Sequence, residues 1–186
     1  MYRYFSNSNC MVPALWTTNH SLISVYSLSS LLYSFNGILI LYLHLLYPDL
    51  FERIEAFIWI WQGIISYLSD AYYLGKVSIF HQVDRYSSIV VTYLLVRKYL
   101  TISGIVCCYE RYQILCYSNT FNQLLTYELI VGLSYSFTCF YNSIQSIKLR
   151  NIDAFYVYHT LWHTGFPLTS VGFHTILLMN IPLEIR

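Results

Sequence analysis

Apolar residues in this chain run in long blocks instead of alternating with polar ones. A helix that crosses lipid needs about 20 predominantly apolar residues. Leu22 to Leu46 supplies such a block, with Ser and Tyr mixed in, and it stops at Pro48-Asp49. Ile54 to Leu74 supplies a second, entered after the charged cluster Asp49, Glu52 and Arg53 and broken by Gly75-Lys76. Beyond Asp84-Arg85, Ser87 to Val96 is strongly apolar, Arg97-Lys98 interrupts the run, and Leu100 to Cys108 resumes it. Leu124 to Tyr141, containing Glu128, and Ala154 to Met179 follow, with Lys148, Arg150 and Asp153 between them. Several blocks are apolar on every helical face, which a water-facing helix is not.

The pattern predicts an all-α fold, a polytopic transmembrane helix bundle forming a single membrane-embedded domain over residues 1–186. About five spans are expected, near 22–46, 54–74, 86–108, 124–145 and 154–179, behind a polar N-terminal segment 1–20. Two cations at the centre of the third span cost roughly 2.5 to 3.5 kcal/mol each, unless they snorkel or face protein. Dividing the middle raises the count toward seven, but leaves Ser87 to Val96 far below spanning length.

Composition agrees: 56% of residues are hydrophobic and 10% are charged, against roughly a quarter charged in a soluble domain. The expected partner is the lipid bilayer. A net charge of +1, with ten scattered Lys and Arg, supplies no field for nucleic acid. Those cations are spread over nearly all the connections, so they assign no orientation. Twenty Tyr and four Trp fit interfacial belts and protein-facing positions. The five Cys have no metal-finger spacing and read as small apolar residues. The N-terminus lacks a secretory cleavage pattern, so the first apolar block is expected to remain as an anchor.

Ionisable residues inside spans are expensive, and they usually face a cavity or each other. His159 and His163, in Tyr158-His159-Thr160-Leu161-Trp162-His163, stand at i and i+4 on one helix face, a geometry that shares a metal ion in zinc-binding helices. Ser66 and Asp70 have the same spacing late in the second span, with Ser69 beside them. Asp84 opens the third span next to Arg85, and His81 precedes it by a turn. The plain reading of that last group is a helix cap at Asp84, a snorkelling Arg85 and a solvated loop residue at His81.

The order Ser66, Asp70, Asp84, then His159-Thr160-Leu161-Trp162-His163 resembles the CREST superfamily of membrane hydrolases. That group gathers alkaline ceramidases, progestin and adipoQ receptors and GPI-remodelling proteins. It shows a Ser and a His one turn apart late in the second span, an Asp at the start of the third, and H-x-x-x-H in the last. The resemblance covers roughly 61–85 and 155–165, including the internal Trp162 familiar from the ceramidase branch. It implies zinc as cofactor, a lipid amide or ester as substrate and an endomembrane location. Asp84 would orient or deprotonate water, and Ser66 would donate a hydrogen bond. The departure is Asp70, which stands where the second-span histidine is expected. A carboxylate also binds zinc, so Asp70, His159 and His163 form one ligand set, with His81 the competing third ligand.

Asp84 and His159 each lie near a helix start, so an odd number of spans must separate them if they are to meet. About 50 residues lie between a third span and Ala154, too few for three more spans. One separating span fits, as though a helical pair were missing from a seven-span plan. Three function classes follow: a zinc-dependent lipid hydrolase, a non-catalytic receptor-like or structural membrane protein with the same fold, and a transporter using Asp70, Asp84 and Glu128 as path residues. The last lacks paired broken helices.

Overall fold

The structure, a computed structural model, describes residues 20–48, 51–73, 78–102 and 119–179. These residues form helices and no strands, so the fold is all-α. In chain order the helices are α1 (His20–Ser29), α2 (Leu32–Leu46), α3 (Arg53–Tyr67), α4 (Phe80–Ile102), α5 (Asn119–Lys148) and α6 (Ile152–Met179). A π-helical turn, Leu68–Tyr72, extends α3.

The first apolar block is not one regular helix. The Ser29 hydroxyl donates to the Tyr26 carbonyl at 2.7 Å, and the Leu31 amide bonds back only three residues, to the Leu28 carbonyl. A side-chain hydroxyl competing for a helix carbonyl bends the helix locally. The break separates α1 from α2 at Ser30-Leu31.

The middle of the chain is less divided than its charges suggest. Helix α4 runs unbroken through Arg97-Lys98, and it begins at Phe80 instead of near 86. His81 and Asp84 therefore sit in its first turns, and His81 is a buried helical residue instead of a solvated loop residue. Cys107, Cys108 and the connection that follows lie outside the described residues.

Arg97 is exposed and Lys98 is buried. Lys98 Nζ reaches Glu55 Oε2 on α3 at 2.6 Å and His174 Nε2 on α6 at 3.1 Å, and it lies 4.9 Å from the centre of the Phe51 ring. The His174 ring is hydrogen-bonded through Nδ1 to Ser170, which accepts from Asn36 on α2. One cation thus faces protein, in a network that ties four helices.

Contacts at the helix ends give the directions. His44 and Arg53 join the end of α2 to the start of α3 at 2.7 Å. Asp70 joins the end of α3 to the first half of α6. Lys98 places the end of α4 beside the last third of α6. Helix α5 lies antiparallel along α6, where a Cβ on Gly132 would strike Thr169 and one on Gly165 would strike Ser136. From α2 onward successive helices therefore alternate in direction, and α4 and α6 run the same way with α5 between them. The backbones of α2 and α3 approach closely, since a Cβ on Gly63 would lie 2.5 Å from the Ser34 amide nitrogen. Small residues permit that kind of crossing.

The core between α2, α3, α4 and α6 is built on Tyr33, Trp59, Leu95, Phe166 and Phe173. Many buried positions are nevertheless polar, among them Asn36, Glu55, Gln62, Asp70, Lys98 and His174. Large apolar side chains such as Phe35, Ile54, Phe57, Ile89, Ile130 and Leu168 face outward. Among the described residues, Ser24–Leu46 is the stretch long enough and apolar enough, by length and composition, to cross a membrane.

Candidate metal centre

The inward face of α6 carries His159, His163, Ser170 and His174. Spacings of four, seven and four keep these residues on one side of a 3.6-residue helix. The His159 and His163 rings meet edge to face, with centroids 4.6 Å apart. Opposite them is the π-turn of α3, whose extra residue per turn re-aims side chains and brings both Ser69 and Asp70 inward.

Asp70 Oδ2 lies 3.2 Å from His163 Nε2 and 3.7 Å from His159 Nε2. Ligand atoms of the three residues lie within 4.8 Å of one another, and all three residues are buried. Around a tetrahedral zinc with bonds near 2.0–2.1 Å, ligand atoms stand about 3.3 Å apart. The two separations from Asp70 bracket that value, and the three residues could hold a small divalent cation.

The hydrogen bonds around His163 sharpen the fit. Ser29 Oγ lies 3.1 Å from His163 Nδ1, and its proton is committed to the Tyr26 carbonyl. With that proton so placed, Ser29 accepts from His163 Nδ1. In the neutral ring that leaves Nε2 as a bare lone pair facing a carboxylate oxygen, which also only accepts. Two acceptors at 3.2 Å require a proton or a cation between them. Ser30 supports the same nitrogen at 3.3 Å. His159 is held less firmly, since its buried Nδ1 has no hydrogen-bond partner.

Ser66 reaches both elements, at 3.4 Å from Asp70 Oδ2 and 3.5 Å from His163 Nε2. Asp84 is not in the ligand trio. It is half-buried at the start of α4, accepts from Gln62 Nε2 at 2.8 Å, and Gln62 in turn accepts from Ser87. His81 is outside the trio as well, and Ser69 stands between it and Asp70. Glu128 lies on α5, packed over Gly172 of α6, away from the trio.

Several participants carry no sequence signal. Tyr26 is buried and tilts against His159 at 5.4 Å. Gln62, Ser29 and Ser30 are ordinary residues whose roles arise from helix packing. The Glu55–Lys98–His174 cluster was detectable in part, because His174 continues the one-sided polar stripe of α6. Pro167, inside α6, lacks the N–H that would bond the His163 carbonyl four residues earlier.

The chain matches no known protein family, no curated protein and no solved structure.

Proposed function

We propose that this protein is a multi-pass membrane metalloprotein in which Asp70, His159 and His163 hold zinc, acting as a hydrolase on a lipid amide or ester. The observation that carries the reading is His163 Nε2 aimed at Asp70 Oδ2 at 3.2 Å, with Ser29 on its Nδ1. The membrane part is supported by the packing: charged and polar groups lie inside the bundle among the apolar core, while many large apolar side chains face outward. Intramembrane ionisable residues behave this way because lipid offers them no solvation. The substrate class rests on the ceramidase-like motif pattern.

A zinc ion held by three protein ligands supplies Lewis acidity to a carbonyl and brings the ionisation of water near neutral pH. The remaining roles belong to the chain. Asp84, steadied by Gln62 and Ser87, orients water and takes up its proton. Ser66, beside Asp70 and His163, donates a hydrogen bond to the oxygen that gains charge. Tyr26 and Phe155 wall the histidines and exclude water from the His159 side.

Metal analysis tests the reading. Protein purified in detergent is expected to carry stoichiometric zinc, and His159→Ala and His163→Ala to lose it while keeping their helical circular dichroism. Folded wild type without zinc after incubation with the metal would end the metalloenzyme reading. One observation favours a second, non-catalytic reading. An imidazolium at His163 paired with Asp70 satisfies both groups without metal, and would pin α3 to α6 in a receptor-like protein.

A further inference from the structure

Asp70 uses its two oxygens differently. Oδ2 faces the histidines, whereas Oδ1 accepts a hydrogen bond from Ser69 Oγ at 3.1 Å. Ser69 Oγ in turn lies 2.8 Å from His81 Nδ1, and both residues are buried. Donor counting orders the chain. A carboxylate only accepts, so the Ser69 proton points to Asp70, and the Ser69 oxygen must then accept from His81. His81 Nδ1 therefore carries a proton. The relay runs from α4 through the π-turn to the carboxylate, with each hydrogen bond directed toward the negative charge.

We propose that Ser69 and His81 are the outer shell of the metal centre, a pair of positioning residues that immobilises Asp70 so that it presents Oδ2 alone to the ion. The inference rests on the zinc reading above. Ligating carboxylates are commonly hydrogen-bonded through the oxygen that does not ligate, and loss of such a partner costs about 10–100-fold in metal affinity. Ser69 and Asp70, adjacent in sequence within the π-turn, are both buried. The relay also assigns His81 a role other than ligand: its Nδ1 is occupied by Ser69.

The test is a zinc competition titration of the purified full chain, repeated with cobalt(II), whose visible bands report ligand geometry. Ser69→Ala and His81→Phe are each expected to weaken zinc binding by about 10–100-fold, to keep one-to-one stoichiometry at high zinc, and to alter the cobalt bands. Ser69→Thr and His81→Asn retain the hydroxyl and the N–H donor, and are expected to bind within a few-fold of wild type. These conservative variants keep the test decisive if an Ala or Phe variant fails to fold. Wild-type affinity in both disruptive variants, with zinc bound, would overturn the outer-shell role while leaving the zinc reading standing. Total loss of zinc in His81→Phe but not in Ser69→Ala would make His81 a ligand and overturn it as well. Folded wild type that binds no zinc or cobalt would remove the reading beneath it.

Discussion

Asp70 supplies negative charge where the resembled motif has an imidazole, and its surroundings are built for a carboxylate. Ser69 and Ser66 both donate to it. Asp70→Asn keeps the shape while replacing one acceptor with a donor. Zinc affinity is expected to fall by more than about 100-fold, beyond the range of an outer-shell change, as read by the same competition titration. Retention of tight binding by Asp70→Asn would remove Asp70 from the ligand set. Asp70→His would meet two hydroxyl donors shaped for oxygen, so it is expected to bind zinc more weakly than wild type.

The elements that shape the centre are the irregular ones. The kink at Ser29–Leu31 supplies the acceptor for His163, and the π-turn supplies Asp70 and Ser69. Roughly 16 Å farther along α6, eleven residues at 1.5 Å each, the Glu55–Lys98–His174 cluster sets the register of α3, α4 and α6. Removing one partner of a buried ion pair costs about 3–5 kcal/mol, because the other charge is stranded. Lys98→Met is therefore expected to lower thermal stability in detergent sharply, and Lys98→Met with Glu55→Gln to recover much of the loss. Additive losses in that double-mutant cycle would mean that the pair is not coupled. Gly63→Ala drives a methyl into the Ser34 backbone, and an overpacking cost of about 1–3 kcal/mol is expected, seen as a lower unfolding midpoint.

At the scale of the molecule, alternating helix directions put residues 82 and 150 at one end of the bundle and residue 52 at the other; all three side chains are exposed. In a multi-pass protein those ends lie on opposite sides of the bilayer. Single cysteines at 82 and 150 are expected to label from one side of sealed vesicles and a cysteine at 52 from the other. Labelling of 82 and 150 from opposite sides would overturn the topology. The protein is also expected to stay in the pellet on alkaline carbonate extraction, and release into the supernatant would count against the membrane reading.

The chain's own pattern was sufficient for an all-α fold and for the pairing of His159 with His163, because both follow from helical periodicity, a local property. The spacing of Ser66 and Asp70 was equally local. The split of the first apolar block and the early start of α4 were not legible, since a serine hydroxyl bending its own helix and a histidine entering one leave hydropathy unchanged. Tertiary structure alone decided that Lys98 would turn inward to Glu55 while Arg97 stays outside. It also decided that His81 would reach Asp70 through Ser69 instead of joining the trio. Those outcomes depend on which faces of separate helices meet, and on where each hydroxyl sends its one proton. Spacing along the chain carries neither.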